Sequence, residues 1–194
     1  MKVLVACEFS GIVRDAFKAK GHYAMSCDLL PTECEGLHYR GDVLDILNDG
    51  WDLMIAHPPC THLAVSGARY FYRKQKEQAE ALDFVRLLMG APIERICIEN
   101  PVSVISSRIR KPDQIIQPWQ FGESFSKKTC LWLKNLPLLV GTKLVDKGET
   151  ITYASGRTMP KWYADAFSLP PKERALLRSR TFQGIADAMA NQWG

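Results

Sequence analysis

The sequence has no run of 18 apolar residues, so no segment of it reads as a membrane span. It has no CxxC pair: its six cysteines, at 7, 27, 34, 60, 97 and 130, are scattered, with neither a disulfide framework nor a standard zinc spacing. Cys27, Cys34 and His38 come nearest to a metal set, but their spacing matches no standard pattern, and no metal is expected. There is no G-x-G-x-x-G, which argues against a dinucleotide cofactor. Internal repeats and low-complexity tracts are missing as well. The opening MKVLVACEFSG has too short an apolar core for a secretory signal and reads as a buried first strand. Together with the cysteine usage, this gives the expectation of a reduced, cytoplasmic protein without a membrane partner.

What is there is ordinary globular composition: 194 residues, 46% hydrophobic and 24% charged, enough for one domain with a full core. The net charge of +4 conceals a split. Residues 1–100 hold 11 Lys and Arg against 14 Asp and Glu, whereas residues 101–194 hold 14 against 7. The basic half either faces an anionic partner, nucleic acid being the obvious one, or is a solvated surface.

The first hundred residues alternate strand and helix signals. Val3 to Cys7, His22 to Cys27, Trp51 to Ala56 and Ile93 to Ile98 read as strands. Gly11 opens a helix with Ile12, Val13, Ala16 and Phe17 at helical spacing, and Gly21 ends it. Residues 74–89 form a second, amphipathic helix. The order predicts an α/β fold with a mostly parallel, doubly wound sheet. Beyond residue 100, Thr129 to Leu133 reads as one more strand. Residues 134–162 read as loops or a short hairpin, and the tail from Pro170 as helical.

In such a sheet, ligands sit beyond the carboxyl ends of the strands. The residues there are Glu8-Phe9-Ser10-Gly11, Asp28, Asp42, His57-Pro58-Pro59-Cys60 and Glu99-Asn100-Pro101. A glycine turn after the first strand and an acid after the second suit an adenosine group, or are structural. Cys60, between Pro-Pro and Thr-His, is either a nucleophile or a small residue packed in a tight turn. Glu99, at the end of an apolar strand, is expected to have a raised pKa and to donate a proton, or else to pair a helix N-terminus or an arginine. Arg157, Lys161, Trp162 and Tyr163 bring basic and aromatic residues together, either for stacking on nucleic acid or as structural aromatics.

Pro-Pro-Cys, then Glu-Asn-Pro about forty residues on, after a turn containing Phe-Ser-Gly, resembles the DNA cytosine-5 methyltransferase family. The stretch from His57 to Gly67 is similar to that family's nucleophile loop, and Gln183-Gly184-Ile185-Ala186 to its last motif. The resemblance implies a Rossmann-like S-adenosylmethionine-dependent methyltransferase fold, with a catalytic core over 1–135 and a short insert over 136–180 replacing the target-recognition domain. Residues 181–194 would be a C-terminal helix returning to the core. It implies Cys60 as the nucleophile at cytosine carbon 6 and Glu99 as the group at ring nitrogen 3. Phe9, Ser10, Gly11, Ile12, Asp28, Asp42 and Pro59 would line the S-adenosylmethionine site, and Ser66, Asn100 and Lys128 would meet the base. DNA is the implied partner, in a small member of the phage or prophage kind, with specificity relaxed or supplied by a protein partner. The short insert leaves open a cytosine nucleotide or RNA as substrate. The glycine-poor turn Gly-Ile-Val-Arg and the missing Gln-x-Arg-x-Arg motif leave open a non-catalytic DNA-binding protein.

Overall fold

Short runs of Val, Ile, Leu and Ala, apolar on both faces, become the central strands of a sheet covered on both sides. In a computed structural model, which describes residues 1–179 and 181–194 without the side chains of Lys172 and Leu176, these are β1 (Lys2–Ala6), β4 (Leu53–Ala56) and β5 (Arg95–Pro101). α1 (Ile12–Ala19) and β2 (Tyr23–Asp28) follow β1, and β3 (His38–Arg40) precedes β4. α2 (Gln75–Met89) joins β4 to β5. After β5 come α3 (Ile105–Arg108), β6 (Gln114–Ile116) and β7 (Thr129–Lys134).

The seven strands lie in the order β3-β2-β1-β4-β5-β7-β6. All pair in parallel except β7, which runs antiparallel to both of its neighbours. This is an α/β fold with a mostly parallel sheet, compatible with a Rossmann-like architecture. β3 and β6, three residues each, are too short to show a period in sequence.

Strand alternation sends Val3, Val5, Leu53 and Ile55 to one face and Leu4, Ala6, Met54 and Ala56 to the other. The first face packs under α1 and the C-terminal helix α6 (Gln183–Trp193), through Val13, Phe17, Ile185, Met189 and Trp193. The second packs under α2, through Leu82, Val85 and Leu88. Within the region 134–162 a separate hairpin forms, β8 (Thr150–Thr152) with β9 (Thr158–Pro160). α4 (Lys161–Asp165) and α5 (Pro171–Ser179) follow it. The helical tail is therefore two helices, and the expected boundary at residue 180 falls outside the described residues. Among the described residues no helix is long and apolar enough to cross a membrane.

α6 is anchored by Trp193, whose Nε1 donates to the Pro137 carbonyl (3.1 Å), and by Arg95, which donates to the Trp193 carbonyl (3.1 Å). Its first turn lies so close to the chain at Phe121 that a Cβ on Gly184 would meet the Phe121 carbonyl oxygen. Backbone on both sides leaves little room to yield. Gly184→Ala is expected to destabilise the protein by about 1–3 kcal/mol, the usual cost of overpacking, as measured by urea unfolding.

Candidate active site

Register brings the site together. Ala6 pairs with Ala56 and Ala56 with Ile98, so the residues one step beyond, Cys7, His57 and Glu99, leave the sheet at one level. His57 Nδ1 and Glu99 Oε2 lie 2.9 Å apart. Asn100 donates from Nδ2 to the Pro58 carbonyl at 2.8 Å, which ties the β4 turn to the end of β5. Pro58 and Pro59 stiffen that turn, and the Cys60 carbonyl closes it by accepting from Leu63 and Ala64.

The turn after β1 is built around a buried acid. Glu8, 3% exposed, accepts the backbone N–H of Val13 at 2.7 Å and of Arg14 at 3.3 Å, and the Ser10 hydroxyl at 3.2 Å. Its carboxyl group thus fills the anion site at the N-terminus of α1, where dinucleotide folds bind pyrophosphate. Gly11, the N-cap, sits at φ 78°, a conformation that favours glycine.

Arg14 stands in the first turn of α1. It is fully buried, ion-paired to Asp15 at 2.8 Å, and donates to Ser26, Thr32 and the carbonyls of Cys34 and Glu35. It thereby pins the loop after β2, which brings Glu33 to the site. His38 is engaged through both ring nitrogens, with Ser26 and the Leu30 carbonyl.

Above the strand ends lies a cavity of about 610 Å³. Of the residues singled out in sequence, Phe9, Ser10, Ile12, Asp28, Pro59, Cys60, Glu99 and Asn100 line it. Gly11 shapes the turn without lining it. Asp42 lines a neighbouring cavity of about 270 Å³, bordered also by Cys7, Asp28 and Pro59 and walled by Leu29, Val43 and Phe84. Asp28 and Asp42 each use Oδ1 to accept a backbone N–H, from Leu30 and Leu44.

Two expectations shift. Lys128 is exposed and lines neither cavity; Lys127 takes that place, because alternation before β7 turns Lys127 and Thr129 to one side and Lys128 to the other. Ser66 stands outside the cavity, where its Oγ accepts from Arg178 Nη2 at 2.8 Å. Arg178, in α5, also lies over the Tyr163 ring at 5.1 Å. Trp162 donates to the Ser126 carbonyl and packs against Phe125, and Lys161 pairs with Glu149 at 2.7 Å, so these insert residues serve the structure of the insert. His57, Lys127, Arg178 and the α6 residues Ile185 and Met189, to which the sequence assigned no role at the site, also lie on the cavity wall.

The electrostatics correct the expectation for Glu99. Burial pushes its carboxyl pKa up, but the hydrogen bond and charge of His57, with Lys127 adding, outweigh burial and hold it below its ordinary 4.5. Burial likewise opposes charge on His57, but the bond to Glu99, the charge of Glu99 and that of Glu8 raise its pKa above 6.5, against Lys127. Cys60 is pushed up, first by burial and then by Glu99, while Lys127 and Arg178 pull it down, so the resting sulfur is a thiol.

These shifts define a pH window. The depressed Glu99 stabilises the fold above its unfolded pKa near 4.5 and loses that as pH falls through its folded value. The raised His57 stabilises it below about 6.5 and loses that as pH rises through its folded value. The Tm difference between the wild type and Glu99→Gln is therefore expected to be greatest between about pH 4.5 and 6.5 and to shrink on both sides, as calorimetric scans across pH will show.

No family model matches the chain, and no curated protein matches it.

Proposed function

We propose that the protein transfers a methyl group from S-adenosylmethionine to carbon 5 of cytosine in DNA. The observation that carries this reading is the meeting of Cys60 and Glu99 on one cavity, next to a second cavity that suits an adenosine. There Asp28 and Asp42 offer carboxyl oxygens to hydroxyl and amino groups, and Leu29, Val43 and Phe84 offer an apolar wall to a flat ring. Glu8 at the N-terminus of α1 disfavours a phosphate-bearing cofactor and leaves the turn to one without phosphate. The sheet order, with one reversed strand between β5 and β6, departs from the 3-2-1-4-5-6 dinucleotide-binding sheet.

In this reading Phe9, Ser10, Gly11, Ile12, Asp28, Asp42 and Pro59 hold the cofactor, which when bound supplies an electrophilic methyl group to the activated carbon 5. The Cys60 thiol gives its proton to water and the sulfur adds to carbon 6. The electron pair of the 5,6 double bond shifts into the bond between carbons 4 and 5, and the pair of the 3,4 double bond moves onto nitrogen 3. Glu99 is the group through which a proton reaches that nitrogen, and Asn100 keeps the two turns together. After methylation the carbon 5 proton leaves to water, the proton on nitrogen 3 returns, and the sulfur is expelled.

A stacked base cannot reach the floor of this cavity, so the target must leave the duplex. The 3₁₀ helix Val65–Arg73, just after the nucleophile turn, supports a nucleic-acid partner. Tyr70 and Tyr72 are exposed there, each with an arginine over its ring, Arg69 at 4.6 Å and Arg73 at 5.1 Å. Such pairs suit stacking on bases and contact with phosphates.

The test is transfer of tritiated methyl from S-adenosylmethionine to duplex DNA. Incorporation at cytosine carbon 5 is expected, abolished in Cys60→Ala and lowered about 10²–10⁴-fold in Glu99→Gln. Cofactor binding without incorporation into DNA would contradict the reading and direct the search to cytosine nucleotides or RNA.

A further inference from the structure

The proposed reaction needs a proton at ring nitrogen 3, yet Glu99 rests ionised beside a histidine that nothing so far employs. We propose that His57 is a positioning residue that stores this proton on Nδ1, in its hydrogen bond to Glu99, and passes it to Glu99 as the substrate nitrogen takes one up. The inference rests on the methyltransferase reading.

The geometry supports it in three ways. The 2.9 Å contact between Nδ1 and Oε2 is set by the register of β4 and β5, not by flexible chain. The other ring nitrogen, Nε2, is buried and has no hydrogen-bond partner among the described residues, so none of these competes with Glu99 for the ring's proton. Both residues line the cavity that holds Cys60, so a proton crossing between them moves at the edge of the site.

The surrounding charge favours a protonated ring. Glu99 on β5 and Glu8 in the turn after β1 are the anions that act on it, and Lys127, before β7, is the cation that opposes them. Cys60 on its own turn and Cys7 beyond β1 rest as neutral thiols, and Arg178 of α5 acts on Cys60. With His57 charged, the two carboxylates face two cations, and the group is electrically balanced.

The transfer conserves protons. Before addition the imidazolium holds one proton and Glu99 none. As the sulfur bonds to carbon 6, the Nδ1 proton crosses to Glu99 and the carboxyl so formed passes a proton to nitrogen 3. His57 is then neutral, Glu99 is again a carboxylate, and the ring carries the proton. Expulsion of the sulfur runs the same path backwards.

Two measurements test this. NMR titration of histidine-labelled protein is expected to give His57 a pKa above 6.5 in the wild type and below 6.5 in Glu99→Gln. A wild-type His57 at or below 6.5 would overturn the proposal without any assay of activity. The second is the pH profile of methyl transfer. Wild-type kcat is expected to fall as pH rises through the titrated pKa of His57. His57→Asn keeps a donor for Glu99 but carries no proton, so it is expected to lose kcat about 10–100-fold, with KM little changed and that alkaline limb gone. An unaltered alkaline limb in a folded His57→Asn would overturn the proposal. A wild type that transfers no methyl group to any cytosine substrate overturns the underlying reading instead, and the titration tells the two failures apart.

Discussion

A carboxylate taken out of water must be given a partner, and this site holds two of them below one cavity. Glu8 is answered by the first N–H groups of α1, and Glu99 by the imidazole of His57. Much of the local architecture follows from these two solutions. Capping α1 with a side chain from the preceding turn requires Gly11 in a left-handed conformation. Pairing Glu99 requires β4 and β5 to be parallel and in the observed register, so that His57 arrives beside it. An apolar pair of the same size would often be as stable or more so, and a part-buried ion pair at a cavity wall is therefore weak evidence for stability.

The rest of the sheet serves this corner. Parallel strands deliver their carboxyl ends to one edge, and helices on both faces keep those ends fixed. α6 comes back from the far end of the chain to cover α1 and to contribute Ile185 and Met189 to the cavity wall. Arg14, buried where small residues would leave the turn open, draws the loop after β2 inward. α5 places Arg178 between Ser66 and Tyr163, so the insert closes over the segment that follows Cys60. The result is a site in which apolar walls and a few fixed charges surround the Cys60 thiol.

How much of this could be read from the residues depends on length and periodicity. β1, β4 and β5 each carry a short apolar run, so their identity was legible, and with it the placement of Cys60 and Glu99 at the strand ends. β3 and β6 span three residues each and carry no period, and the reversed direction of β7 leaves no mark on its own sequence. Lys127 and Lys128 are chemically alike, and only the position of Thr129 at the start of β7 decides which turns inward. His57 was placed at a strand end but given no role, because a single histidine between an apolar strand and two prolines has no pattern; its partner lies 42 residues away. The direction of the Glu99 shift was missed for the same reason, since burial was visible and its partner was not.

The central claim is that Cys60 forms a bond to cytosine within this cavity, and a trapped adduct tests it most directly. In DNA containing 5-fluorocytosine the fluorine stands where the departing proton would be, so a base that has been attacked and methylated cannot be released. Intact-mass analysis is predicted to give a stoichiometric protein–DNA adduct that depends on S-adenosylmethionine and maps to Cys60. Bound cofactor with no adduct, or an adduct at another cysteine, would contradict the account.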